Sequence, residues 1–242
     1  MRRVSADLEL ALSLADLADA VSLPRFRAAD LRVETKPDLT PVTDADRAVE
    51  RALRERLARE RPHETILGEE EGGADAPVRW VLDPIDGTKN FARGVPVWAT
   101  LIALERDGGA VCGVASAPAL GRRWWAARGE GAYRDGERIR VSGVAELGDA
   151  TVSCSYGSDL AALEQHARHA RGFGDFWQHM LVAEGAVDLA VDADLARWDV
   201  AAVEAIVGEA GGRVERWNDR TVSSNGLLAG ARALLSGSTR SG

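Results

Sequence analysis

The sequence feature that most constrains the fold is an apolar run, Trp80-Val81-Leu82, that leads directly into Asp83-Pro84-Ile85-Asp86-Gly87-Thr88. The run predicts a buried strand, and Pro84 is expected to end it because proline has no backbone N–H to donate to a sheet. Asp86 then stands where a helix N-cap is expected, with glycine and threonine after it. The pattern therefore predicts two carboxylates brought together at a strand-to-helix turn.

This turn has the chemistry of a metal and phosphate site. Carboxylate oxygens are hard ligands that suit Mg²⁺ or Mn²⁺. The backbone N–H groups of Gly87 and Thr88 stand at the start of the predicted helix, where an anionic phosphate is favoured. The alternative interpretation is an ordinary surface turn, because Asp, Gly and Thr are common turn and capping residues.

Two further acidic segments follow the same logic. In Ile66-Leu67-Gly68-Glu69-Glu70-Glu71 a short apolar run ends in glycine and a cluster of acids, which either a metal site or a solvated loop would explain. Asp199 precedes apolar residues at helical spacing, and Gly211-Gly212 follows them. This pattern predicts a helix over residues 199–210 with Asp199 as its N-cap. Capping is compatible with metal binding by the same carboxylate.

Taken together, three segments resemble the signatures of the inositol monophosphatase family in their order and separation: Gly68-Glu69-Glu70, Asp83-Pro84-Ile85-Asp86-Gly87-Thr88 and Trp198-Asp199-Val200-Ala201-Ala202. The likeness covers nearly the whole chain. Within the family, the longer pattern is similar to the histidinol-phosphate phosphatases of actinobacterial type. The stretches that carry this second likeness are 35–50, 94–98, 122–129 and 181–188.

The resemblance implies a fold of the α/β class with layers in the order α–β–α–β–α. Residues 1–142 are expected to form an α+β half that carries most metal ligands. Residues 143–242 are expected to form an α/β half that carries Asp199 and the residues of substrate specificity.

The resemblance also implies the site residues. The ligands of two or three Mg²⁺ ions, which Mn²⁺ could replace, would be Glu69, Asp83, the backbone carbonyl of Ile85, Asp86 and Asp199. Glu69 would stand beside the attacking water, and Thr88 paired with Asp46 would orient that water or accept its proton. For Asp44 helix capping is the alternative to a catalytic role, and for Lys36 a solvated loop position is the alternative to a place near the metal.

The implied activity is that of a Mg²⁺-dependent phosphomonoesterase. It would hydrolyse L-histidinol phosphate to L-histidinol and phosphate by direct attack of metal-activated water, without a phosphoenzyme. An inositol-1-monophosphatase, or a related sugar or nucleotide phosphatase, is the alternative within enzymes. A non-catalytic phosphate-binding protein is the alternative of a different class, and it would require a broken set of acidic residues, which the sequence does not show.

Substrate binding is assigned to residues from both halves of the chain. Histidinol phosphate carries an amine and an imidazole, so its pocket should offer carboxylates. Asp175 and Asp192 are the candidates for that role, and an exposed turn carboxylate is the alternative interpretation of each. The full set expected to contact substrate is Asp86, Gly87, Thr88, Gly174, Asp175, Asp192 and Asp199. The role of Arg171 stays open.

Composition limits the partners. The 38 acidic and 30 basic residues give the 242-residue chain a formal charge of −8, which disfavours binding to nucleic acid or to an anionic membrane. An acidic protein that binds an anionic phosphate needs a cation in between. The two cysteines, Cys112 and Cys154, show no pairing pattern, and no apolar run is long enough to span a membrane. We therefore expect a cytoplasmic protein, and the resemblance implies a homodimer.

Periodicity places the other elements. The pattern predicts helices over residues 5–23, 44–61 (with 46 as an alternative start), 160–171, 178–184 and 199–210. It predicts strands over residues 97–104, 110–115, 123–127, 138–141, 151–154 and 187–190. The tail over residues 236–242 is expected to be disordered.

Overall fold

The structure is a computed structural model that describes residues 5–155, 157–217 and 220–235. Its helices are α1 (Ala6–Ser22), α2 (Asp44–Glu60), α3 (Thr88–Ala92), α4 (Gly157–Glu164), α5 (Asp175–Ala183), α6 (Arg197–Glu209) and α7 (Leu228–Leu235). Its strands are β1 (Val33–Thr35), β2 (Pro41–Thr43), β3 (Thr65–Gly68), β4 (Val78–Asp86), β5 (Ala99–Arg106), β6 (Gly109–Ala117), β7 (Arg122–Ala127), β8 (Gly131–Arg134), β9 (Glu137–Ile139), β10 (Thr151–Cys154), β11 (His169–Arg171), β12 (Leu189–Ala193), β13 (Arg213–Trp217) and β14 (Arg220–Ser224). No helix in these described ranges is both long and apolar enough to cross a membrane.

The strands form two large sheets and one short hairpin. The larger sheet has seven strands in the order β3-β4-β5-β6-β7-β8-β9, and its pairs are antiparallel except for the parallel pair β3–β4. The smaller has five strands in the order β11-β10-β12-β14-β13, with β10 parallel to both of its neighbours and β14 antiparallel to both of its own. The hairpin joins β1 to β2.

Helices cover both faces of the seven-stranded sheet. On one face α1 and α2 contribute Leu14 and Leu53 to a core with Trp80. On the other face α5 and α6 contribute Met180 and Ile206 to a second core that also contains residues of the five-stranded sheet. Burial of these large apolar side chains is the main favourable term in folding, because apolar surface leaves water.

The outer face of the five-stranded sheet is covered by α4 and α7. Leu163 of α4 and Ala231 of α7 share a core with Val152, Leu189 and Val222 of that sheet. The layers therefore follow the order α–β–α–β–α, and the α/β class implied by the resemblance is confirmed. The seven-stranded sheet uses residues 65–139 and the five-stranded sheet uses residues 151–224. It remains a prediction that residues 1–142 carry most metal ligands and that residues 143–242 carry Asp199 and the residues of substrate specificity.

Strand β4 differs from the prediction at the metal motif. It does not end at Pro84 but runs through to Asp86, because the ladder with β5 shifts register between the pairs Asp83–Leu101 and Asp86–Ala99. The bulge needs no N–H from the proline, and the Pro84 carbonyl accepts a hydrogen bond of 2.8 Å from Thr100 Oγ1. Asp86 is therefore the last residue of a strand, and the prediction that it caps a helix was wrong.

Helix ends account for the remaining differences. The predicted helix over residues 160–171 was wrong beyond Glu164, because His169–Arg171 forms β11 and pairs with β10. Helix α5 begins three residues earlier than predicted, and α6 begins two residues earlier. Asp199 consequently lies in the first turn of α6 and is not its N-cap, which is Ala196. The other predicted helices and strands correspond to observed elements, with small shifts at their ends. The predicted disorder of 236–242 falls outside the described residues.

Candidate active site

Three carboxylates meet where the two sheets approach α6. Asp83 and Asp86 come from the end of β4, and Asp199 comes from the first turn of α6. One carboxylate oxygen from each lies within 4.8 Å of the other two. Asp83 is buried, and its Oδ1 has no hydrogen-bond partner among the described residues. A buried acceptor without a partner is costly, so this atom is suited to a ligand that supplies positive charge.

The electrostatics of the three acids favour the same ligand. Burial and the neighbouring carboxylates raise the pKa of Asp83 and of Asp86 well above the ordinary value. Burial is also the largest cause that raises the pKa of Asp199 to about 6. Like charges gathered in a low-dielectric site repel each other unless a proton or a cation lies between them. Hard carboxylate oxygens with an orphaned acceptor therefore fit a divalent cation such as Mg²⁺.

Glu69 lies outside that group of three but next to it. Its backbone N–H donates to the Leu82 carbonyl at 3.2 Å, so Glu69 sits beside the end of β4. Its Oε1 accepts a hydrogen bond of 2.8 Å from Lys36 Nζ, which also contacts Glu70 Oε1 at 2.6 Å. Repulsion from Glu69 contributes to the raised pKa of Asp83. The structure thus places Lys36 within the acidic site and not in a solvated loop.

Thr88 and Asp46 are in contact across 42 residues of sequence. Thr88 Oγ1 lies 3.1 Å from Asp46 Oδ1 and 2.9 Å from the Ile85 carbonyl oxygen. Asp46 is fully buried, and its Oδ2 accepts the backbone N–H of Thr43 at 2.8 Å as part of the capping box of α2. Burial is the main cause that raises the pKa of Asp46. Asp44 instead accepts from Arg25 Nη2 at 2.8 Å, in an ion pair.

The turn between β4 and α3 depends on glycine. Gly87 has a φ of 84°, and a Cβ added there would lie 3.0 Å from the Val97 carbonyl oxygen. Gly87 is the N-cap of α3, and no side chain in the part of the chain that the structure describes caps that helix. The N–H groups at the helix start are therefore not occupied by a capping side chain, as anion binding requires.

A cavity of about 620 Å³ opens beside the three carboxylates. Asp86 and Asp199 contribute to its wall, as do Thr40 and Lys89, together with residues of the second half of the chain. Those residues are Cys154, Ser155, Gly172, Phe173, Gly174, Asp175, Phe176, His179, Asp192, Ala193, Asp194 and Leu195. A smaller cavity of about 160 Å³ is lined by Glu69, Gly87 and Thr88, and Asp175 lines both cavities. The two cavities bring nearly every residue assigned to substrate or metal into one region.

The start of α5 is bonded to the metal motif. The backbone N–H of Phe176 donates to Asp86 Oδ2 at 2.6 Å, and Asn90 Nδ2 of α3 donates to Asp175 Oδ2 at 2.9 Å. Asp175 has a φ of 49°, which carboxylate and amide residues adopt more readily than other side chains. Exposed Arg171 donates to the Ala170 carbonyl oxygen and is not among the residues that line the two cavities.

Asp192 is held by a buried amide that the sequence analysis missed. Its Oδ2 accepts from Gln178 Nε2 and Ser155 Oγ, at 2.9 and 2.8 Å. Burial raises the pKa of Asp192 to about 6. Gln178 is a polar residue on the buried face of α5, and that position was the available signal. His179, also missed, contacts Ser223 through Nδ1 at 2.8 Å, and burial lowers its pKa to about 4, so its imidazole is neutral.

Comparisons with known proteins show what this chain is similar to. A model of the inositol monophosphatase family matches residues 4–240. The histidinol-phosphatase of Mycobacterium tuberculosis is 51% identical over 245 residues, which cover 92% of this chain and 94% of that protein. The histidinol-phosphatase of Streptomyces coelicolor is 48% identical, with 95% and 93% covered. Among solved structures, an IMPase of Thermotoga maritima superimposes with a TM-score of 0.88 at 30% identity, covering 96% of this chain and 99% of that chain.

Proposed function

Because this chain belongs to the inositol monophosphatase family of metal-dependent phosphomonoesterases, we propose that it hydrolyses L-histidinol phosphate to L-histidinol and phosphate. The observation that carries the choice of substrate is the 51% identity to a histidinol-phosphatase over nearly the full length of both proteins. The wall of the large cavity supports it, because five aspartates and one lysine, Lys89, line that cavity and make it acidic on balance. Asp175 and Asp192 would face the cationic end of histidinol phosphate. The inositol ring of inositol phosphate is neutral and would not require these two carboxylates.

We propose that the site binds two or three Mg²⁺ ions and that Mn²⁺ can replace Mg²⁺. Glu69, Asp83, the Ile85 carbonyl, Asp86 and Asp199 would hold these ions. When bound, they supply a lowered pKa for the attacking water and stabilise negative charge on the phosphoryl group and the leaving oxygen. The orphaned Oδ1 of Asp83 and the raised pKa of the three aspartates support this donor set.

The protein groups would orient the water and the substrate. A hydroxyl has one proton, so Thr88 Oγ1 can donate either to Asp46 Oδ1 at 3.1 Å or to the Ile85 carbonyl at 2.9 Å. In the proposed mechanism it would donate to Asp46, and its lone pairs would accept the proton of a water in the smaller cavity. As the water proton moves to Thr88 Oγ1, the hydroxyl proton of Thr88 would move to Asp46 Oδ1, so Asp46, which Thr43 holds in place, would act as the final base. The N–H groups of Gly87 and Thr88 would receive phosphate oxygens, because a helix start favours negative charge. Water would attack phosphorus directly, and the alcohol would leave without a phosphoenzyme.

The leaving alcohol would occupy the larger cavity. Gly174 and Asp175 at the start of α5 lie in its wall, and Asp192 lies there beside Ser155. The hydrogen bond from the Phe176 N–H to Asp86 Oδ2 joins this wall to the metal motif, so the residues proposed for specificity and those proposed for metal binding are in direct contact. We further propose that the protein is a homodimer, which light scattering on the purified chain would test.

The test is phosphate release in Mg²⁺ from a matched panel of esters, with an EDTA control. The panel contains histidinol phosphate, inositol-1-phosphate, fructose-1,6-bisphosphate and 3′-phosphoadenosine 5′-phosphate. We expect kcat/KM to be highest for histidinol phosphate by several orders of magnitude and activity to vanish in EDTA. If kcat/KM were highest for another ester, the proposed metal-dependent mechanism would stand, but histidinol phosphate would be rejected as the substrate. If no phosphate were released from any of the four esters, a non-catalytic phosphate-binding protein would be favoured.

A further inference from the structure

A buried carboxylate outside the proposed ligand set holds the loop that carries Glu69. Glu50 lies on α2, and its side chain is fully buried. Its Oε2 accepts the backbone N–H of Glu70 at 2.8 Å, and its Oε1 accepts the N–H of Glu71 at 3.1 Å. Hydrogen bonds to a charged acceptor are roughly twice as strong as neutral ones, so the loop gains more from Glu50 than from a neutral acceptor.

The loop is shaped around this carboxylate. A Cβ added to Gly68 would lie only 2.1 Å from Glu50 Oε1, so only glycine lets the strand end approach so closely. Arg54, one turn further along α2, donates to Glu50 Oε1 at 2.8 Å and to the Gly72 carbonyl at 2.5 Å. Gly68 N–H donates to the same carbonyl at 3.0 Å, which closes the loop. Glu50 therefore has a positive partner in Arg54, which offsets the cost of burying its charge.

Hydrogen bonds from two backbone N–H groups therefore hold the chain at Glu69. Its own N–H is bound to Leu82, and the N–H of the next residue is bound to Glu50. Asp46 and Glu50 are four residues apart on α2, so they lie on one helix face. That face supports two parts of the site, since Asp46 contacts Thr88 and Glu50 holds the Glu69 loop.

From this geometry we infer that Glu50 is a positioning residue that fixes the backbone of Glu69 and thereby sets the affinity of the site for Mg²⁺. The inference rests on the proposed function, because it takes Glu69 as a metal ligand. Glu50 itself is not among the proposed metal ligands and lines neither of the two cavities. Partners that orient metal ligands typically change metal affinity by about 10-fold to 100-fold when they are mutated.

The test is Glu50→Gln, which has nearly the same shape. Glutamine has one acceptor oxygen and a donor NH₂, so one of the two loop N–H groups would face a donor. We expect the Mg²⁺ dissociation constant, measured by calorimetry, to rise at least about 10-fold. The Mg²⁺ concentration for half-maximal activity should rise in parallel, while KM at saturating Mg²⁺ stays unchanged. Amide hydrogen exchange at Glu70 and Glu71 should become faster. Glu55→Gln, an exposed position on the same helix, is the matched control and should change none of these.

Two outcomes would overturn the inference. One is equal Mg²⁺ affinity in the wild type and in Glu50→Gln, and the other is a lowered melting temperature with unchanged Mg²⁺ dependence, which a merely structural role would give. If the wild type lacks metal-dependent turnover, the proposed function fails, but the calorimetric comparison still decides the role of Glu50. If Glu50→Gln does not fold, Arg54→Lys replaces it. That change keeps the charge but loses the fork between Glu50 and Gly72, and it should weaken Mg²⁺ binding in the same direction.

Discussion

At the scale of single residues, the site consists of polar groups whose individual states depend on their neighbours. Asp83 is orphaned at Oδ1, Asp192 is satisfied by Gln178, and Asp175 is partly satisfied by Asn90. A carboxylate with its acceptors already filled has less capacity for a new cation than one with a free oxygen. Among these three aspartates, Asp83 is therefore the one best suited to accept a new cation.

Asp175→Asn should affect substrates selectively. Asparagine tolerates the left-handed backbone at this position and keeps an oxygen for the Asn90 amide, so the change removes mainly the charge. We expect KM for histidinol phosphate to rise about 10-fold or more, because loss of a charged hydrogen bond costs roughly 1.5–3 kcal/mol. KM for a neutral phosphomonoester should change little. Steady-state kinetics on both esters would measure this.

Asp194→Asn is the matched control for that prediction, because it removes the same charge from an exposed position in the same cavity wall. It should leave both KM values nearly unchanged. Equal effects of Asp175→Asn on the two esters would remove Asp175 from substrate specificity and leave it as a structural partner of Asn90.

At the scale of elements, the site depends on how β4 passes into α3. The register shift at Pro84 accompanies the approach of one carboxylate oxygen of Asp83 to within 4.8 Å of one of Asp86, and Gly87 turns the chain in a left-handed conformation before Thr88. Extended backbone alone would place Asp83 and Asp86 on opposite faces of the strand, because they are three residues apart. The register shift is therefore what allows the two carboxylates to share a site.

Gly87→Ala should disrupt this passage. Alanine at a φ of 84° is strained by roughly 1–2 kcal/mol, and its Cβ would crowd the Val97 carbonyl at 3.0 Å. We expect lower stability and a fall in kcat of about 10-fold or more, because small misplacement of reacting groups is costly. Thermal unfolding and Mg²⁺-saturated kinetics would measure the two effects.

Gly108→Ala separates strain from crowding. Gly108 also has a positive φ, of 79°, but a Cβ there would meet no atom of a described residue within 4 Å. This control should lose a similar amount of stability to backbone strain and keep its kcat. If both variants lost kcat equally, the approach of Val97 to the turn would not matter for the reaction.

At the scale of the whole molecule, helices α5 and α6 lie between the sheets and bring the second half of the chain to the first. Asp199 arrives on α6, and Asp175 arrives on α5. Their cores include Val81 and Leu101 from the larger sheet and Ala190 from the smaller. The acids are therefore forced together by apolar packing, and their repulsion must be offset by bound protons or metal.

This repulsion predicts how stability depends on pH. In the folded protein the pKa of Asp199 is raised to about 6, and the pKa values of Asp83 and Asp86 are raised well above the ordinary value. The native state therefore binds more protons than the unfolded state between about pH 4 and pH 6. Stability in EDTA should fall as pH rises through this window. Bound Mg²⁺ replaces those protons, so it should raise the melting temperature more at about pH 7.5 than at about pH 5.

Calorimetry in EDTA and in Mg²⁺ at the two pH values would measure this effect. Asp199→Asn should make the pH dependence in EDTA less steep, because asparagine carries no charge to repel its neighbours, while Asp192, whose pKa is also raised to about 6, maintains part of it. A melting temperature in EDTA that stays constant over the same range would contradict the coupling of fold stability to the acidic site.

The sequence by itself determined the α/β class, most helices and strands, and the family. Apolar periodicity and glycine stops are local signals, and α2 and β10 depend on them. The motifs around Asp83 and Asp199 likewise indicate carboxylates at the ends of elements. All of these signals are short-range, because each depends on residues that are close together in the sequence.

Only the tertiary structure decided how these acids meet and what supports them. The strand β11 forms because β10 offers it a partner 18 residues away, which overrides the helical pattern of residues 160–171. Glu50, Asn90 and Gln178 are ordinary polar residues in the sequence, and their roles arise from contacts across 20, 85 and 14 residues. Such contacts depend on packing of the whole chain, because a buried polar group is stable only where folding delivers its partner.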